Sequence, residues 1–122
     1  MKKLFIIIAL VFISYFAVHA QVNKSQASKK PIEYKQPDGT NLTIVLKGDE
    51  KLHWAETIDG YTLLSNKDGG YEYAKLDKHK NLISSGKLAH ESEKRTKKET
   101  RALKKIQKGL QFSEVQIKKS KE

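Results

Sequence analysis

The chain has 122 residues, no cysteine, and 24 Lys plus Arg against 14 Asp plus Glu, a formal net charge of +10. One domain at most fits this length. The composition excludes a disulfide framework, a Cys-based metal site and a cysteine nucleophile, and the length leaves little room for a secreted enzyme with its own substrate cleft.

Met1-Lys2-Lys3 is a basic start, residues 4–12 are apolar throughout, and the apolar character runs on to Val18. Val18-His19-Ala20 then places small or modest residues at the −3 and −1 positions of a cleavage site. This is the layout of a secretory signal peptide over residues 1–20. As a retained membrane anchor the stretch is short, because a span needs about 20 apolar residues. Export is therefore expected, to the medium or the periplasm. Residues 21–30 are polar and read as a disordered spacer.

Residues 31–90 read as strands and turns. Ile32-Glu33-Tyr34-Lys35 alternates apolar and polar residues, and Pro37-Asp38-Gly39-Thr40 is a turn. Leu42, Ile44 and Leu46 fall on one face of the next strand, which Gly48-Asp49-Glu50 ends. Leu52, Trp54, Glu56 and Ile58 then alternate with His53, Ala55 and Thr57. Asp59-Gly60 is a hairpin turn, 61–65 a strand, and 66–70 a turn that includes Gly69. An aromatic-rich strand at 71–76, a polar turn at 77–81 and a short strand from Leu82-Ile83 follow. Turns recur about every ten residues, which predicts a mainly β fold: a small antiparallel meander of five to six short strands. A basic C-terminal helix after it makes the whole α+β.

The period changes after residue 90. Ala102, Leu103, Ile106 and Leu110 recur at three and four, which predicts one helix over 91–108. Thr96 and Glu99 have capping-box spacing, and Gly109 lies where a helix stops. The remaining residues are sparse in apolar side chains and are expected to fray. Residues 21–90 hold 11 Lys against 9 acids, while 91–122 hold 9 Lys and 2 Arg against 5 acids. The excess charge thus belongs to 91–122, expected as a basic helical tail or linker.

The residues of 31–90 carry a resemblance. In order they are Gln36-Pro37-Asp38-Gly39-Thr40, Leu46-Lys47-Gly48-Asp49-Glu50, His53-Trp54, Glu56-Thr57, Asp59-Gly60-Tyr61, Gly70-Tyr71-Glu72-Tyr73-Ala74, Asn81-Leu82 and Ala89-His90. This half of the chain resembles the N-terminal region of secreted bacterial zinc metalloproteases of the immune-inhibitor-A type. The resemblance implies a pro-segment or accessory β domain ahead of a catalytic domain. It brings no catalysis here: the catalytic helix of that family carries H-E-x-x-H, and no such motif occurs in this chain. One departure is Lys80, where the family often has Gly in a D-x-x-G-N-L turn.

The expected role is non-catalytic, with no cofactor, no metal site and no specific nucleic-acid partner. The expected partner is a secreted zinc metalloprotease domain, met by the chain as a truncated protease or as a stand-alone protein. Candidate contact residues are His53, Tyr61, Tyr71 and Tyr73. His53 reads first as a solvated neighbour of Trp54, and the three tyrosines serve equally as core or as a platform. Trp54, Gly39, Gly60 and Gly69 are the expected structural anchors. Asp49, Glu50 and Asp59 read as turn residues and not as a Ca²⁺ site. A second function class is a cell-envelope or glycan-binding module, with tyrosines on sugar and the basic tail on an anionic surface polymer.

Overall fold

A computed structural model describes residues 30–122; the expected signal peptide and the expected spacer up to residue 29 lie outside the described residues. Six strands follow one another: β1 (Ile32–Lys35), β2 (Asn41–Gly48), β3 (His53–Thr57), β4 (Thr62–Ser65), β5 (Tyr71–Leu76) and β6 (Leu82–Leu88). They form one antiparallel sheet in sequence order, the meander that the turn spacing predicts.

Four of the five hairpin connections are one and the same three-residue loop, at 36–40, 57–61, 66–70 and 77–81. In each, the first residue donates its N–H to the fifth carbonyl and accepts from the fourth N–H. Thr57, Asn66 and Asp77 then use their short side chains to accept the fifth N–H. The fourth residue sits at positive φ: Gly39, Gly60, Gly69 and Lys80. A side chain in that region costs roughly 1–2 kcal/mol, against the roughly 0.5–1 kcal/mol that glycine loses in chain entropy. Lys80→Gly is therefore expected to stabilise the fold by about 0.5–1 kcal/mol, read as a higher urea midpoint at an unchanged slope.

The sheet is strongly curled. β1 and β5 are four strands apart, about 19 Å in a flat sheet at ~4.8 Å per strand. Yet the Tyr34 and Tyr71 rings meet edge to face at 4.9 Å. Leu42, Ile44, Ala55, Leu63 and Tyr73 line the concave side with Ala89 and Leu103, all buried, and Tyr34, Tyr61 and Tyr71 pack around them. Leu46 shares their face but is 46% exposed.

Trp54 is not in this core. On β3 the interior positions are Ala55 and Thr57, and Trp54 points to the opposite face, where it meets Phe112 edge to face at 5.6 Å. At this point of β3 the concave side takes the small Ala55, and the alternation of the strand sends the neighbouring indole to the other face. Its Nε1 is buried there without a hydrogen-bond partner among the described residues.

The chain after residue 90 differs from the single helix expected. A 3-10 turn at Ser92–Lys94 leads to extended Arg95 and Thr96, then α1 (Lys97–Leu103) and α2 (Glu114–Ser120). Thr96 caps α1 by accepting the Glu99 N–H, which fixes the helix start six residues late. The segment expected to fray is capped instead: Ser113 and Gln116 make a reciprocal capping box. Both parts are built onto the sheet. Leu103 is in the core, the Thr62 hydroxyl donates to the Leu110 carbonyl at 2.7 Å, and the Gln116 amide pairs with both backbone groups of Leu82. Pro31–Glu122 is accordingly one compact unit, and 91–122 is a covering layer with no separate standing as a tail.

Candidate functional site

The densest polar chemistry lies where the curled sheet meets the segment after β6. Gln36, 2% exposed, is the first part. The other three like loops start with a short side chain that bonds its own turn, but a Gln side chain overreaches. It crosses instead to β5 and the end of β6: Nε2 donates to the Tyr71 and Ala89 carbonyls and Oε1 accepts the Tyr71 N–H, each at 2.9 Å. One side chain thus stands in for the ladder that would close the curl.

Beside it, His90 bridges two acids. Its Nδ1 lies 2.8 Å from Glu99 Oε1 and its Nε2 2.8 Å from Asp38 Oδ2. Both ring nitrogens can donate only in the imidazolium. Burial opposes that charge, but the two carboxylates outweigh it and the His90 pKa is raised. The Thr40 hydrogen bonds, then His90, hold the Asp38 carboxyl down at about 2.

Glu99 is 7% exposed and accepts the Tyr73 O–H at 2.5 Å. Burial first, then Glu99, pushes the Tyr73 phenol well above its usual range. The same oxygen accepts the His90 N–H and the Arg95 Nε–H, each at 3.1 Å. Arg95 then forks onto Asp59 at 2.7 and 3.0 Å, holding that carboxyl at about 2. Its guanidinium also lies over the rings of Tyr61 and Tyr73, at 5.4 and 5.7 Å.

These groups satisfy one another. A general base must reach a proton on a substrate, and here every carboxylate faces a donor of the chain itself. The two acids take opposite nitrogens of His90, so they converge on no common point where an ion would sit. Among the described residues no group of three or more His, Cys, Asp and Glu side chains has metal-binding geometry. The arrangement acts as a clamp that fastens residues 90–99 over the concave face, and His90 is its titratable joint.

The clamp makes stability depend on pH. Because folding raises the His90 pKa, its contribution is fully present below the unfolded value near 6.5 and is lost as pH rises through the folded value. Asp38 works the other way: its contribution is present above 3.8 and fades as pH falls through about 2. Both act together between about pH 4 and 6.5. The thermal midpoint is expected to peak in that window and fall toward pH 8, and His90→Gln is expected to flatten the alkaline side.

The structure scatters the residues singled out from sequence. Tyr73 is 1% exposed in the core, and Tyr61 and Tyr71 are half-buried against it. Tyr61 also has Lys108 Nζ at 5.3 Å. His53 is exposed at the start of β3, opposite Gly48, and joins none of these contacts. Gly39, Gly60 and Gly69 hold their loops, and Asp49 accepts the Lys51 and Leu52 N–H groups of its own turn. Sequence reading missed Gln36 and Arg95 as partners. The one available signal was a long Gln at a loop position where Thr57, Asn66 and Asp77 stand in the other three. Comparison with protein-family models, with curated proteins and with solved structures finds no match to this chain.

Proposed function

We propose that this chain is an exported, non-catalytic β domain that docks onto a secreted zinc metalloprotease, in the manner of the N-terminal pro or accessory region that residues 31–90 resemble. The observation that carries the reading is β1. Among the described residues it is an edge strand, paired only with β2, and Ile32, Glu33 and Lys35 are exposed on it. The antiparallel alternation that bonds Gln36 to Thr40 turns the Glu33 and Lys35 N–H groups outward. A strand of the protease adding beside β1 would gain main-chain hydrogen bonds, with side chains on alternate faces setting specificity. The self-satisfied polar cluster fits a rigid docking unit better than a reaction centre.

The test is titration of the full chain with the catalytic domain of a zinc metalloprotease secreted by the same cells. The reading expects one-to-one binding that survives added salt, weakened at least tenfold by Glu33→Pro, which removes an outward N–H. Salt-sensitive binding, or binding indifferent to Glu33→Pro, contradicts it.

A further inference from the structure

Away from β1, the β5–β6 hairpin and α1 enclose a groove of about 650 Å³, within the few-hundred to ~1,000 Å³ range of ligand sites. Its floor is hydrocarbon: Leu76, Ala102, Ile106 and Leu110. Its rim is cationic on both walls, with Lys75 and Lys87 from the sheet and Lys98, Arg101 and Lys105 from the helical side. No acid lines it, and none of the five cations joins an ion pair among the described residues. Residues 1–29 contain no Asp or Glu, so they hold no counter-charge either.

We propose that this groove binds an anionic single-chain amphiphile, a hydrocarbon chain with a phosphate or carboxylate head. The chain would lie on the apolar floor and the head among the five cations. Like charges facing each other across a groove repel, and an anion converts that repulsion into attraction. Charge thus disfavours a second copy of this basic chain as occupant. A hydrocarbon chain also suits the floor better than an acidic peptide. A peptide needs acceptors for its N–H groups, Lys and Arg offer none, and among the described residues the only neutral polar side chains in the lining are Ser85 and Gln107. The inference is independent of protease docking, which uses β1.

The experiment is calorimetric titration of the full chain with dodecyl phosphate, kept below its micelle concentration. Dodecyl maltoside supplies the chain without the charge, inorganic phosphate the charge without the chain, and an acidic leucine-rich peptide the rival occupant. The expected result is one site for dodecyl phosphate, at least tenfold tighter than the maltoside, with no heat from phosphate alone. Two variants act only in the groove: Arg101→Glu with Lys105→Glu reverses exposed charge, and Ala102→Trp fills the floor. Each should weaken binding at least tenfold at an unchanged thermal midpoint. Binding that survives both variants, equal affinity for the maltoside, or tighter binding of the peptide overturns the proposal. Because residues 1–29 are untouched by these variants, amphiphile held by that apolar segment registers as surviving binding.

Discussion

Gln36→Leu, a change that nearly keeps the side-chain volume, is expected to cost about 3 kcal/mol of stability. The reason is what it leaves behind. The Tyr71 N–H and the Ala89 carbonyl lose the partner that the Gln36 amide supplies, in a part of the fold where water does not replace it. An orphaned buried backbone group costs about 1–3 kcal/mol, and two are created. Gln36→Glu keeps the acceptor for Tyr71 but removes the donor and buries a charge, so it is expected to be no milder. Urea unfolding measures both. A Gln36→Leu midpoint within error of the parent would mean that the curl closes without this side chain.

The second large effect is expected at Arg95. Its side chain is 9% exposed and its fork holds Asp59, while its Nε serves Tyr73. Arg95→Ala removes all of these contacts and the two cation–π contacts together. Breaking a buried ion pair costs about 3–5 kcal/mol; Asp59 is one-third exposed and regains water, which places the expected loss near 2–3 kcal/mol. A second readout separates this from simple loss of packing. With Arg95 gone, the Asp59 carboxyl should rise from about 2 toward its ordinary value near 3.8, visible in an NMR pH titration. The parent gains stability from Asp59 above pH 3.8 and loses it as pH falls through about 2; the variant should keep only the smaller part that the Thr57 hydroxyl supplies. An Asp59 titration unchanged by Arg95→Ala would contradict the clamp.

Strands and turns were legible because their causes are local. Alternation marks β1, β2 and β3, and the Asp-Gly and Gly-Gly pairs mark loops that need a positive φ. Lys80 stood out only through the resemblance, as a position where the family often has Gly. Which face of each strand is interior was not. Trp54 looks like the anchor of β3 because it is large, yet both faces of the sheet are covered, by α1 on one side and by Phe112 on the other. With contacts on both faces, Leu103 of α1 in the core on one and Phe112 against Trp54 on the other, alternation alone cannot say which is the concave one.

The clamp was illegible for a different reason. Glu99 fits the third position of a capping box, and its N–H does bond Thr96. Its carboxylate, however, goes to Tyr73 and His90, contacts 26 and 9 residues away. Arg95 reads as one more cation in a basic run until the fold places Asp59 against it. The charge count follows suit: of the eleven cations in 91–122, Arg95 is internal, and three others line the groove opposite Lys75 and Lys87.

The account rests on 31–122 being one unit, in which residues 90–103 close the curled sheet. The direct measurement is thermal unfolding, followed by far-UV circular dichroism, of a chain ending at His90 beside the full chain. Without Glu99, Arg95 and Leu103 the truncated sheet loses its cover and the clamp, and no cooperative transition is expected. A sharp transition within a few degrees of the full chain would show that 31–90 folds alone, and would contradict the account.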